Sequence, residues 1–512
     1  MKRWSSGGIE FLYCATVFFS SAMLLVLEIV AGRLLAPYIG VSIYTWTSII
    51  GIILAGLSLG NWIGGRLADK GFGHQSVALV LVASAVSALA VLPLIGIMAG
   101  PIQSLELDLA SASMIYVLGL FFIPSVLIGI IVPLITTLYL DQNSQTGKVV
   151  GRMHALGAMG SILGTFATGL FLIQWFGTRS IIVFVAGVLF LFAIPFFFVS
   201  KASIKPAAGS LIIFALTGGM ALNSVGFENP CDEESNYYCL RVVDEIGYNG
   251  EVHGRTLVLD HMIHSTNIKS SPAELVTPYV QAMDQLILRQ FDQPDSKRYF
   301  FAGGGAYTHP RAVKARFEHA RIIVSEIDPM VTTLARDRLY FDPEGVEVRH
   351  GDARNVLREM ADRSLDVVVN DVFHDVSIPY HLTTLEYATM VKEKLTDDGL
   401  YLANVIDVFP ENQLVQSMVR TLKLAFSHVQ VWVVKPDGGD QRMSFVLSAS
   451  DEFIPGEMIR IPPKPDSVGD VWFQIGDFVE QQIQQSDSPV LTDDFTPVER
   501  LLAPLLVTRA GV

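Results

Sequence analysis

Seven apolar runs, at about 9–37, 43–65, 76–99, 112–140, 149–174, 180–200 and 207–224, fill the first 224 residues. A helix needs roughly 20 apolar residues to cross a bilayer, and in lipid the backbone must satisfy its own polar groups. The lengths predict a multi-span α-helical membrane domain over 1–224, with about seven helices. The seventh run is the weakest, being short and interrupted by Gly218 and Gly219. The first and fourth are long enough to tilt, and Pro124 and Pro133 give the fourth a cause for kinking. Gly56, Gly60 and Gly64, and again Gly157, Gly160 and Gly164, recur at spacings that allow close helix approach. The run after Lys2 and Arg3 is too long for a cleavable signal peptide and lacks a small-residue cleavage site.

Charge divides the chain at the same place. The first 224 residues hold ten Lys/Arg and six Asp/Glu, leaving 26 basic and 44 acidic residues in the remainder. An acidic soluble part argues against nucleic acid, whose phosphates need a basic face. It suits a cationic substrate, and equally a surface that is simply solvated. Lys2, Arg3, Arg66, Lys70, Lys148, Arg152, Lys201 and Lys205 fall on one set of alternate loops, with Arg33 and Arg179 toward the other. That eight-to-two bias predicts a cytoplasmic N-terminus in a multi-pass protein of the cell (inner) membrane. With seven spans the soluble part then lies outside. Glu28 falls inside the first run, where a carboxylate is costly: it is a functional candidate, or a polar contact or Arg33 partner that locks the bundle. The three cysteines form no CxxC or Cys/His cluster, so no metal is expected. Cys231 and Cys239 would suit a disulfide in an oxidising compartment.

Beyond the last run the pattern becomes one of strands and short helices. Asn236–Val243 and Arg255–Leu259 read as strands of a small β-region, 225–271, and about 272–289 as a helix. Strands Arg298–Ala302, Arg321–Glu326, Val346–His350 and Leu365–Asn370 then alternate with helices His309–Phe317, Pro329–Leu339, Ala353–Glu359 and Thr383–Lys394. This alternation predicts a parallel, doubly wound α/β sheet of Rossmann-like, methyltransferase type over 272–512. The first strand runs into Gly303, Gly304 and Gly305, a turn that brings a ligand close to backbone and aims a helix N-terminus at it. The second ends in Glu326, about 20 residues on, where nucleoside-binding folds place a ribose-binding carboxylate. The third leads into Asp352 and Ala353, the fourth into Asp371. All four strand ends face the crevice at the carboxyl edge of such a sheet.

In order and spacing, Tyr237-Tyr-Cys-Leu-Arg-Val242, Arg255-Thr-Leu-Val-Leu-Asp260, the glycine turn, Ser325-Glu-Ile-Asp-Pro329, Gly351-Asp-Ala353 and Asp371 resemble the spermidine synthase (polyamine aminopropyltransferase) family. The resemblance covers about 232–450 and is strongest to the branch fused to an N-terminal multi-span domain. In the membrane part, Leu27-Glu28, Thr45-Trp46 and Gly60-Asn61 accompany it, and Gly64–Asp69 is similar to a loop of major-facilitator transporters. The resemblance implies a decarboxylated S-adenosylmethionine-type co-substrate and no permanently bound cofactor, a putrescine acceptor, methylthioadenosine as product, and a homodimer. It implies that Glu326 holds the ribose, Asp352 the adenine amino group, and Ile327 packs on the adenine, beside Gly303, Gly304, Gly305 and Ala353. It gives Asp371 and Tyr279 the catalytic roles, Asp371 helping to deprotonate the attacking amine.

The departures concern the acceptor. Ala306 stands where the family's GGGDGG loop has its aspartate, Leu275 and Val276 where acidic residues are expected, and Gln281 for the glutamate of YHE. LDGxxQ becomes Leu259-Asp-His-Met-Ile-His264, and the DSSD loop becomes Asp371-Val-Phe-His-Asp375. His264, His374 and Asp375 are acceptor-side candidates, with Asp493 and Asp494 as further carboxylates. Four readings follow: an aminopropyltransferase; an acceptor-independent S-adenosylmethionine lyase or cyclase releasing methylthioadenosine; a methyltransferase, which the fold also allows; and a transporter half with a nucleoside-sensing domain.

Overall fold

Glycine sets the helix spacing of the N-terminal part. Helices α1 (Ser6–Ile39), α2 (Ile43–Asp69), α3 (His74–Ser104), α4 (Leu109–Leu140), α5 (Thr146–Phe176), α6 (Thr178–Val199) and α7 (Ile204–Leu222) follow one another. All seven are long and apolar enough to cross a membrane. A Cβ on Gly60 of α2 would sit 2.2 Å from the Val126 carbonyl oxygen of α4, and one on Gly160 of α5 would sit 2.1 Å from that of Phe18 on α1. Only a residue without a side chain permits that backbone approach. Pro124 and Pro133 lie inside α4, and a π-turn, Thr168–Leu172, interrupts α5.

The computed structural model describes residues 6–105, 107–143, 145–200, 204–247, 250–372, 378–435, 441–462 and 469–504. The chain divides into two compact units, Met1–Pro230 and Cys231–Val512. The first therefore extends past the expected limit at 224. Buried Arg179 explains the extension: its Nε donates to the Gly226 carbonyl oxygen (2.9 Å) and its Nη1 to Asn229 Oδ1 (3.1 Å). Phe227 packs on the same apolar core.

The second unit begins with a four-stranded antiparallel sheet in the order β1 (Glu233–Glu234), β2 (Cys239–Ile246), β3 (Val252–Leu259), β4 (Met262–Ile268). Strand β4 is absent from the sequence reading. Asp260 and His261 alone turn β3 into it, with Asp260 at φ 53°. Helix α8 (Pro278–Gln290) starts at Pro278, later than the expected 272, because proline is well placed at a first helical position.

The large sheet has nine strands and is mixed. Strands β5 (Arg298–Ala302), β6 (Arg321–Glu326), β7 (Val346–His350), β8 (Leu365–Asn370) and β9 (Leu395–Phe409) run parallel in the order β7-β6-β5-β8-β9. Beyond β9 lie β11 (Gln441–Ser450), β10 (His428–Val434), β13 (Val471–Gln474) and β12 (Met458–Arg460), all antiparallel. The expectation of a wholly parallel sheet is corrected here. A parallel crossover takes about a dozen residues or more, and the link between Val434 and Gln441 is too short for one. Among the parallel strands, the inner β5 and β8 are buried almost end to end, as strands covered on both faces must be. Their connecting helices α9 (Thr308–Arg316), α10 (Pro329–Arg338) and α11 (Ala353–Arg358) start at the carboxyl edge of β5, β6 and β7. Asp328 caps α10 through the Met330 amide (2.9 Å), and Asp352 caps α11 through that of Asn355 (3.1 Å).

Candidate active site

The turn after β5 is shaped by crowding. Gly303 has φ 89°, and a Cβ there would lie 2.4 Å from the Asp371 carbonyl oxygen. Gly305 (φ 51°) and Tyr307 (φ 56°) then turn the chain into α9. Beside them lies a partly open cleft of about 730 Å³, lined by Gly303, Gly305, Glu326, Ile327, Asp352, Ala353 and Asp371 from the strand ends. Tyr237, Tyr238 and Leu259 line it from the small sheet, with His264, Pro379, His381 and Leu382.

Glu326 is only 5 % exposed, and its carboxylate accepts the Gly304 amide (2.8 Å) and the Asp328 amide (2.9 Å). Burial pushes the Glu326 carboxyl up to about 7 in spite of those amide donors. Hydroxyl donors of a ligand would favour its ionised form. Ile327 follows it, 39 % exposed, an apolar surface on the cleft wall. Asp352 Oδ2 lies 2.6 Å from His381 Nε2 while Oδ1 caps α11, so the carboxylate is oriented from two sides.

Asp371 lies where this cleft meets a second one, of about 450 Å³, lined by His264, Tyr279, Gly304, Ala306, Thr308, His309 and Asp371. Tyr279 Oη donates to Asp371 Oδ2 (3.0 Å), and Asn404 Nδ2 donates to Oδ1 (3.1 Å). Burial raises the Asp371 carboxyl, opposed by the Asn404 and Tyr279 hydrogen bonds and by His309. Burial, with Asp371 alongside, holds the Tyr279 hydroxyl well above the usual phenol range. A carboxylate fixed by two donors between two clefts can steady a cation or take a proton in either.

Residues 291–453 match the Spermine/spermidine synthase domain. The C-terminal part of this chain is a spermine/spermidine synthase domain. Among relatives, a polyamine aminopropyltransferase of Vibrio vulnificus is 25 % identical over 159 residues, 30 % of this chain and 52 % of that one. The chain thus spans about half the length of that relative. Polyamine aminopropyltransferase 1 of Streptomyces coelicolor is 24 % identical over 500 residues, 89 % of this chain and 87 % of the relative. A solved structure of a probable spermidine synthase from Corynebacterium glutamicum is 20 % identical, with a TM-score of 0.44, over 52 % of this chain and 96 % of that one.

Within the second unit the structure brings Gly303, Gly305, Glu326, Ile327, Asp352, Ala353, His264 and Asp371 to the first cleft, and Gly304 and Tyr279 to the second. His374 and Asp375 lie outside the described residues. Asp493 is drawn elsewhere: Arg354 grips it with two hydrogen bonds (2.7 and 2.6 Å), and it lines neither cleft. Asp494 is exposed and lines neither. Three contributors escaped the sequence reading. Asn404 is a lone amide in the apolar strand β9, which was a signal. His381 and His309 stand in no motif, and only the fold brings them to the clefts.

Proposed function

We propose that this chain is a membrane-integrated, spermidine synthase-like aminopropyltransferase that uses a decarboxylated S-adenosylmethionine-type donor and releases methylthioadenosine. The observation that carries this reading is Asp371, fixed by Tyr279 and Asn404 where the cleft at the strand ends meets a second cleft. Glu326 receives the ribose hydroxyls, Asp352 the adenine amino group, and Ile327 lies against the base. In the second cleft an amine meets the carbon attached to the sulfonium, and its nitrogen forms the new bond as the C–S pair leaves with sulfur. The sulfonium is already a good leaving group, so the site's work is alignment and keeping the amine unprotonated. The full chain, incubated with decarboxylated or intact S-adenosylmethionine and putrescine, should yield methylthioadenosine and a lengthened amine. A newly methylated product would overturn the reading in favour of a methyltransferase.

One observation favours a second reading, acceptor-independent release of methylthioadenosine by intramolecular displacement. Asp371 is the one carboxylate lining the second cleft among the described residues, and Ala306 there is not ionisable. Leu275 is buried, and Gln281 Nε2 is spent on the Leu275 carbonyl oxygen (2.5 Å). A diamine brings two positive charges and needs carboxylates for both ends. Methylthioadenosine should therefore form slowly without added amine, with weak stimulation by putrescine. Spermidine formed rapidly, in strict dependence on putrescine, would remove this second reading.

The seven helices are taken as membrane spans, with the synthase domain outside the cytoplasm. Two observations support this: the eight-to-two distribution of basic residues between loop sets, and the disulfide joining Cys231 and Cys239, whose Cα atoms are 5.2 Å apart. The homodimer implied by the family resemblance belongs to the same proposal.

A further inference from the structure

The second cleft contains a buried group that the proposed chemistry has not used. His309, the second residue of α9, is 6 % exposed, and its ring stands edge-on to Phe301 at 5.1 Å. Its Nε2 faces Asp284 Oδ1 of α8 at 3.6 Å, too long for a hydrogen bond. Asp284 is 4 % exposed and held by both terminal nitrogens of Arg316. Burial alone would raise the Asp284 carboxyl, but Arg316 and His309 outweigh it and hold it at about 2. Asp284 is therefore an anion at every relevant pH. An anion on the Nε2 side favours the proton there and leaves Nδ1 with the basic lone pair. Next to His309, Thr308 is 4 % exposed, and its Oγ1 has no partner among the described residues. Thr308 Oγ1 beside His309 on the wall of the second cleft is thus a buried polar group that calls for a ligand, while the unpartnered Nε2 of His309 is turned to Asp284.

We infer that His309 is a catalytic base of the second cleft, with Asp284 and Arg316 as its positioning residues, and that the nucleophile it serves is an amine. This rests on the transferase reading above. The titratable groups around it are Asp284 and Tyr279 from α8, Arg316 on its own helix, Asp371 after β8, and His264 from β4. An ammonium N–H proton passes to Nδ1. The freed lone pair forms the N–C bond to the carbon on sulfur, and the C–S pair leaves with sulfur as a neutral thioether. The product nitrogen keeps one positive charge, and the imidazolium returns its proton to solvent. His309 thus sets a nitrogen base beside the Asp371 carboxylate in the one cleft. Asp371 then steadies the positive nitrogen while His309 removes the proton.

The test compares full-length wild type with His309→Gln, His309→Ala and Asp284→Asn, reading methylthioadenosine release against pH and donor affinity by calorimetry. His309→Gln should bind the donor unchanged, lose about 10²–10⁴-fold in kcat near neutral pH, and recover as pH rises and more amine arrives deprotonated. Asp284→Asn should shift the same pH limb with a smaller loss. Free imidazole should restore part of the His309→Ala rate. Turnover of His309→Gln within about twofold of wild type, on an unchanged pH profile, overturns the inference and leaves the transferase reading standing. So does loss of donor binding in His309→Ala without imidazole rescue, which would mark a packing role. If wild type releases methylthioadenosine from neither donor, the transferase reading falls and this inference with it.

Discussion

At Glu326, burial sets a measurable pH dependence. Its carboxyl stands at about 7 against an ordinary 4.5. The contribution of that proton to stability is full below about pH 4.5 and is lost as pH rises through about 7. Ribose hydroxyls need the ionised form, so methylthioadenosine should bind more tightly as pH rises across 7. The limit is about tenfold per pH unit for one proton released. Calorimetry should show this in wild type and a flat profile in Glu326→Gln, with ~1.5–3 kcal/mol lost for each charged hydrogen bond removed. A flat wild-type profile would mean that the ribose does not sit on Glu326. Asp371→Asn should instead retain nucleoside affinity within about threefold and lose at least about 10²-fold in turnover. Matching losses in binding and rate would make Asp371 structural. These carboxylates were legible in the sequence because the end of each strand in a strand–helix alternation has a known place. His309 was not, since it reaches the second cleft only through the turn from β5 into α9, and the lone amide of Asn404 gained a partner only once β9 paired with β8.

At the scale of elements, the close helix pairs make the sharpest prediction. Gly60→Val and Gly160→Val would each drive side-chain carbon into a facing carbonyl. Each should cost at least the ~1–3 kcal/mol typical of overpacking, read as a lower midpoint of thermal unfolding in detergent. Gly65→Ala, with nothing within 4 Å of its Cβ, should leave that midpoint unchanged and serves as the control. The spacing of these glycines was readable, since helical period alone puts them on one face. Strands β5, β6 and β8 were equally readable as short runs with an apolar centre, and β7 by its alternation, each set between turn residues. Strand β4 was hidden because Met262–Ile268 mixes polar and apolar residues without clean alternation. The strands after Asn370 were not read from the sequence, and their antiparallel pairing was hidden for another reason. Residue patterns mark a strand, but its neighbours are chosen by link length and by which sheet edge remains open.

For the whole molecule, topology is the decisive quantity. A C-terminal alkaline phosphatase fusion should be active and a fluorescent-protein fusion dark, as for a synthase domain exported across the membrane. The reverse pattern would place that domain in the cytoplasm and withdraw the argument from basic loops. Cys231→Ser in the full chain should also cost roughly 2–3 kcal/mol of stability, the scale for a short closed loop, measured by thermal unfolding with and without reductant. That loop does more than close. Between its cysteines lie Tyr237 and Tyr238, both on the wall of the nucleoside cleft, and their amides turn back onto Ser235 Oγ (3.0 and 2.9 Å). The shape of one cleft wall is thus tied to a covalent bond that the ribosome does not make. The same polypeptide produced in a reducing host and in an oxidising one would be two preparations of different affinity, so the history of a sample becomes a variable in any assay performed on it.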